Sequence, residues 1–147
     1  MLKVHEQYGG IVISGVKIEK KDDLKRYGIA ELDHVKDNVY KIKRIVEKPE
    51  PHEAPSNIAT HGGYILPPEI FGALKRLKPG KGGEIWLVDA INLLQKEGVP
   101  VYTIVIKEGT YYDTGNKFEY LKTVVEFALH HKEINGDFKN FLKSLKL

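Results

Sequence analysis

The triplet Glu47-Lys48-Pro49 puts a carboxylate directly beside an ammonium at the end of a β-branched run. Adjacent strand residues point to opposite faces, so both can meet one ligand only where the strand ends and the chain bends. Pro49 marks that point and restricts Lys48 to extended or turn geometry. A carboxylate there accepts hydrogen bonds from hydroxyls such as those of a sugar, and an ammonium neutralises a phosphate as a point charge. Taken alone, a charged pair in this position is more often a solvated strand end. Tyr111-Tyr112-Asp113-Thr114-Gly115 offers a second carboxylate, Asp113, of the hard oxygen type that suits magnesium. Taken alone, an Asp here is more often the cap of a helix starting at 116.

Other chemistry-bearing residues lead less far. Pro79-Gly80-Lys81-Gly82-Gly83-Glu84 has the look of a phosphate loop, but no Ser or Thr follows Lys81 as G-x-x-x-x-G-K-[ST] requires. A flexible lead-in to a helix is the simpler reading. Glu84 and Asp89 do not share a helix face well, which argues against a carboxylate dyad. The histidines, His5, His34, His52, His61, His130 and His131, show no metal-ligand spacing. The adjacent pair near a helix end favours the helix dipole without binding anything.

The elements that must position these groups follow from periodicity and punctuation. LKVHEQY (2–8) reads as the last turns of a helix stopped by Gly9-Gly10. IVISGVKI (11–18) reads as a buried strand and KDDLKRYG (21–28) as a helical turn. Two strands follow, IAELD and NVYKIKRIVEKP, joined by a turn near Lys36-Asp37-Asn38. In the second, alternation places Tyr40, Ile42 and Val46 on one face, opposite Lys41 and Lys43. Prolines at 49, 51 and 55 make 50–56 a loop, and NIATHGGYIL (57–66) returns to strand. Helices are expected over 67–80, with Ile70, Leu74 and Leu77 inward, and over 82–98, with Ile85, Val88, Ile91 and Leu94 inward. VPVYTIVIKEG (99–109) is a strand, TYYDTG a short strand or turn, and 117–131 an amphipathic helix through Phe118, Leu121, Val125 and Ala128. A basic amphipathic helix over 137–147 closes the chain and packs on the one before it.

This order of strands and helices defines an α/β fold. At 147 residues, the chain fits one domain, 1–147, with a single core. Its 41% hydrophobic and 29% charged content is that of an ordinary globular protein. No apolar run approaches the ~18 residues of a membrane span, and MLKVHEQYGG lacks the core of a secretory signal. The absence of such signals points to the cytoplasm. Without cysteine there is no disulfide and no thiolate chemistry. A net charge of +3, from interspersed 23 basic and 20 acidic residues, gives no nucleic-acid surface.

Several stretches taken together carry a resemblance. VEKP at 46–49, EAPSN at 53–57, RYGIAE at 26–31, GGEI with DAI within 82–91, and YDTGNK followed by YLKTVVEFALHH resemble the C-terminal half of the UTP–glucose-1-phosphate uridylyltransferases. The resemblance runs from about Leu2 to Leu145. The related glucose-1-phosphate thymidylyltransferases share the Glu-Lys-Pro and Asp-x-Gly elements but do not normally combine the APSN and YDTGNK wording. The resemblance implies the C-terminal portion of a Rossmann-like nucleotidyltransferase fold, a mixed sheet with flanking helices and no N-terminal nucleotide-binding half. It implies the reaction of UTP with glucose 1-phosphate to give UDP-glucose and pyrophosphate, with Mg2+. In those terms Glu47 would bind glucose hydroxyls and Lys48 the sugar phosphate, as the catalytic cation. The backbone at Gly28 and Gly62 would approach the sugar ring, and Asp113 would hold the metal. The sequence departs from the family at Trp86, where Gln is usual, at Val88, where Thr is usual, and at Gly63, where Arg is frequent.

The glycine-rich triphosphate loop and a first metal-binding Asp of that family have no counterpart here. Two readings follow. One is the sugar-phosphate half of an active enzyme whose N-terminal half is separately encoded or removed. The other is a non-catalytic module that binds a sugar nucleotide or a partner, or an inactive remnant. On either, the isolated chain is expected to be inactive, to expose a sheet edge and an apolar face, and to self-associate over them.

Overall fold

The computed structural model describes residues 1–80 and 83–145. The readings that fall on Lys81, Gly82, Lys146 and Leu147 lie outside those residues. The chain divides into two compact units, Met1–Glu108 and Gly109–Leu147.

In the first unit, helix α1 (Leu2–Tyr8) ends at Gly9 and Gly10, whose φ values are 68° and 69°. A side chain at 10 would also strike the Pro100 carbonyl, 2.1 Å from a Cβ there, and Ile11 donates its N–H to that carbonyl at 2.9 Å. This junction delivers the chain into β1 (Ile11–Lys17), where Ile11, Val12 and Ile13 are fully buried, as the β-branched run requires. A 3-10 turn (Lys21–Arg26) leads to β2 (Gly28–Lys36), and a turn with Asp37 at positive φ returns the chain as β3 (Val39–Glu47). After the proline loop come β4 (Ile58–Ile65), α2 (Glu69–Arg76), α3 (Leu87–Lys96) and β5 (Val101–Val105).

The strands close on themselves in the order β1-β4-β2-β3-β5, with β5 pairing back to β1. The β1–β5 pairing is parallel and the others antiparallel, so the sheet is mixed. Every strand has a neighbour on both sides, but not along its whole length: β4 pairs with β2 only at Gly28 and Ile29, so β2 beyond them keeps one open margin, and β5 pairs with β3 only as far as Lys41. The main core joins Ile11, Ile13, Ala30, Ile42, Ile45 and Val101 to Ile70, Ala73, Ile91 and Leu94 of α2 and α3. Each Ile, Leu or Val among them contributes about 1.5–3 kcal/mol on burial. A smaller cluster of Leu24, Ile29 and Ala59 lies apart from it.

Two expectations about faces need correction. In β3, Ala30 pairs with Ile45 and Leu32 with Ile42, but Glu31 pairs with Arg44, leaving Lys43 as an extra residue. This bulge reverses the alternation. Ile42 and Ile45 are therefore buried together, at 1% and 4% exposure, and Val46 does not share the face of Ile42. Ile85 lies ahead of α3 and is exposed, while Val88, Ile91 and Leu94 do face inward.

The second unit holds α4 (Lys117–His130) and α5 (Asn135–Ser144), which pack against each other. Neither helix has a buried residue; Phe118 and Leu121, of the helically spaced apolar set read from the sequence, are exposed. Tyr112 donates its hydroxyl to Glu126 at 2.8 Å and meets Phe127 edge-on. No helix among the described residues is long and apolar enough to cross a membrane.

Candidate functional site

The bulge at Lys43 decides where β3 points its last side chains. Beyond it, Glu47 shares the face of Ile45. Glu47 pairs with Gly28 of β2, and a Cβ at 28 would lie 2.9 Å from Glu47 Oε2, 3.0 Å from Thr60 Oγ1 and 3.1 Å from Ile45 Cγ2. Gly28 thus leaves the space that the carboxylate occupies. Thr60 donates its buried hydroxyl to the Gly28 carbonyl at 3.1 Å, tying β4 to the same point.

Lys48 continues the ladder, donating its N–H to the Tyr27 carbonyl at 3.0 Å, and then turns at φ 46°. A left-handed backbone is uncommon for a residue with a side chain. Here it ends the strand's alternation one residue after Glu47, and the Lys48 ammonium lies over the Trp86 ring, 5.8 Å from its centroid. Trp86 immediately precedes α3, and its indole N–H donates to Glu84 at 2.7 Å.

Glu47, Trp86, Gly28, Thr60 and Tyr64 line a cavity of about 330 Å³ with Tyr27 and His61. The two rings of Tyr27 and His61 meet edge-on at 5.7 Å. Trp86, with Glu47 and Asp89, also borders a larger groove of about 880 Å³ along β3 and α3. Partial burial raises the Glu47 carboxyl above the usual carboxylate range, the Lys48 ammonium pulls it back, and Asp89 adds to the rise. Burial and the nearby Glu47 likewise raise the Tyr64 phenol.

The end of β3 is held from α3. Asn92 accepts from the Ile45 N–H at 3.1 Å and donates to the Ile45 carbonyl at 3.0 Å. Gln95 donates to the Ile42 carbonyl. These two amides occupy the edge that β5 serves only as far as Lys41.

Gly62 is brought to the neighbourhood by an irregularity in β4. Ile13 pairs with Tyr64 but Gly15 with Thr60, so His61, Gly62 and Gly63 bow outward opposite Ser14. The Ser14 hydroxyl fills the bow, donating to the His61 carbonyl and accepting from the Gly63 N–H at 3.0 Å. Gly62 has φ 62°, with no protein atom within 4 Å of where a Cβ would be. Gly63 has no room for a side chain without displacing Ser14 Oγ, 3.0 Å from a Cβ there.

Asp113 belongs to the second unit. Its Oδ1 accepts from the Gly115 N–H at 3.0 Å, making a local turn. It is not the helix cap. Asn116 takes that role, accepting from the N–H groups of Phe118 and Glu119 at 2.9 and 3.1 Å. Among the described residues no group of three or more His, Cys, Asp or Glu is disposed to hold a metal ion. Magnesium is commonly bound through one or two carboxylates plus substrate phosphates, and a single Asp suits that mode rather than an all-protein cage.

Of the sequence-derived residues, Glu47, Lys48 and Gly28 come together, and Gly62 follows from the strand that walls the cavity. Tyr64, Thr60 and Asn92 were not anticipated from the sequence as parts of this site, and Trp86 only as a departure from the family pattern on the substrate half. Alternation along 57–66 carried a signal for Thr60 and Tyr64. Asn92 carried one as a polar residue four places after Val88, on the same face of α3.

This arrangement of a mixed sheet, two covering helices and a polar cavity at the end of β3 has relatives. Residues 1–128 match the nucleotidyl transferase family, and the chain belongs to it. It is 43% identical over 125 residues to the UTP–glucose-1-phosphate uridylyltransferase of Streptococcus pneumoniae serotype 4, covering 84% of this chain and 41% of that protein. It is 38% identical over 148 residues to that of Staphylococcus epidermidis, covering 100% of this chain and 50% of that protein. A structure of UTP-bound UGPase from Acinetobacter baumannii superposes with a TM-score of 0.81 at 29% identity, over 99% of this chain and 49% of that one. A UDP-glucose pyrophosphorylase complexed with UDP-glucose gives 0.81 at 29% identity, over 88% and 48%. The chain spans about half the length of the curated relatives it matches.

Proposed function

We propose that this chain is the sugar-phosphate-binding portion of a UTP–glucose-1-phosphate uridylyltransferase. In the complete reaction a phosphate oxygen of glucose 1-phosphate attacks the α-phosphorus of UTP, forming UDP-glucose and releasing pyrophosphate. The observation that carries the reading is that Glu47 and Trp86 line one aromatic-walled cavity of about 330 Å³, with the ammonium of the next residue, Lys48, over the Trp86 ring. That is room on the scale of small-molecule sites.

Each residue then has a task. Glu47 accepts hydrogen bonds from glucose hydroxyls. Lys48 meets the sugar phosphate and offsets charge that builds up as the new bond forms. Gly28 and Gly62 let the backbone approach the ring without a Cβ in the way. Asp113 is the carboxylate this chain offers to Mg2+, which when bound neutralises phosphate charge. On this reading UTP is held by the nucleotide-binding half of the complete enzyme, which lies outside the half that these 147 residues match.

Calorimetry with glucose 1-phosphate and with UDP-glucose tests the reading. The 147-residue chain should bind, and Glu47→Ala should abolish binding while the fold persists. The pure chain should release no pyrophosphate from UTP, and supplying a nucleotide-binding half should restore UDP-glucose synthesis. No binding of either ligand by a folded chain would sink the proposal. Binding that never leads to turnover, even with that half supplied, would favour a non-catalytic sugar-nucleotide module.

A further inference from the structure

Trp86 is the single tryptophan of the chain. Its side chain is tied at three points. The indole N–H is held by Glu84 at 2.7 Å, the ring face carries the Lys48 ammonium at 5.8 Å, and the ring walls the cavity that holds Glu47 and Tyr64. The residue is half-buried, so part of the ring remains open to a ligand. A hexose presents an apolar C–H face and a rim of hydroxyls. A flat aromatic surface suits the first, and the Glu47 carboxylate suits the second.

We propose that Trp86 is a specificity-determining residue of this site. Its ring seats the ammonium that meets the sugar phosphate and walls the pocket that receives the sugar, so it couples recognition of the two parts. This rests on the sugar-phosphate reading above. A cation over an aromatic face at a partly exposed site contributes about 0.5–1 kcal/mol, which corresponds to about a two- to fivefold change in affinity.

The test uses the whole chain with glucose 1-phosphate and galactose 1-phosphate. Glucose 1-phosphate should change the Trp86 emission saturably, with the midpoint found by calorimetry. Trp86→Ala should weaken binding about two- to fivefold and narrow the preference for glucose over galactose, and Trp86→Phe should restore both. Lys48→Met should cost less in the Trp86→Ala background than in the parent, because the two side chains act together. Calorimetric binding that leaves the emission unchanged, with additive losses and an unaltered sugar preference in Trp86→Ala, would overturn the inference alone. An unmodified folded chain that binds neither sugar phosphate would overturn the sugar-phosphate reading, and this inference with it.

Discussion

Gly28 and Glu47 face each other across β2 and β3, and a methyl group at 28 would lie 2.9 Å from the Glu47 carboxylate. The absent side chain of one residue is the space used by the other. Gly28→Ala must displace Glu47, Thr60 or Ile45. It should cost about 1–3 kcal/mol of stability by overpacking. Affinity for glucose 1-phosphate should fall about tenfold or more, as expected when hydrogen bonds to a charged group are lost. Urea unfolding and calorimetry on the same preparation check both.

Glu47 should make stability depend on pH. Burial raises its carboxyl in the folded chain above the ordinary value of 4.5. The folded state therefore holds this proton at pH values where the unfolded chain has released it. Stability falls as pH rises from 4.5 through the raised folded value, and the loss is complete above it. Glu47→Gln removes that dependence. Thermal melts of the parent and Glu47→Gln should show the variant gaining relative to the parent between pH 4 and pH 7. A constant difference, or one of opposite sign, would contradict the burial argument.

Ser14 should be needed for the shape of β4 at Gly62. Its hydroxyl serves both the His61 carbonyl and the Gly63 N–H. Ser14→Ala leaves those two backbone groups without it and should cost about 1–3 kcal/mol. Gly62→Ala has space for its methyl but holds a left-handed backbone at φ 62°, and should cost about 1–2 kcal/mol from backbone strain alone. Chemical denaturation of the two variants separates the contributions.

Asn92 should behave as a positioning residue for the end of β3. Asn92→Ala deprives both polar groups of Ile45 of their partner, two residues before Glu47. A stability loss of about 1–3 kcal/mol is expected, with weaker binding of glucose 1-phosphate. Asn92→Asp keeps only the acceptor for the Ile45 N–H and should fall between the two. Unfolding and titration of the three proteins would show that order; Asn92→Ala indistinguishable from the parent would refute it.

Much of this fold could be read from the sequence because its elements carry their own punctuation. Gly9-Gly10 ends α1, Asp37 turns β2 into β3, and the prolines after Lys48 end β3. The neighbouring charges at 47 and 48 also announced themselves. What alternation could not reveal was the bulge at Lys43, since an extra residue leaves no compositional mark and yet reverses every face beyond it. For that reason Val46 rather than Ile45 looked like the inward residue. Trp86 was noticed as a departure from a familiar pattern, but its place beside Lys48 depends on a contact across some forty intervening residues, which no local periodicity encodes. The role of Asp113 as a helix cap failed for a smaller reason: Asn116, equally suited to capping, lies at the helix start itself.

The pairing of β5 with both β1 and β3 has a consequence for biosynthesis. β1 begins at Ile11, and the strand that seals it begins at Val101. During translation, two strands wait with open hydrogen-bonding margins until nearly the whole first unit has left the ribosome. Contacts so distant along the chain close slowly, and open strand margins invite pairing with other chains. A nascent polypeptide stalled before Val101 leaves the β1 and β3 margins that β5 covers without their partner.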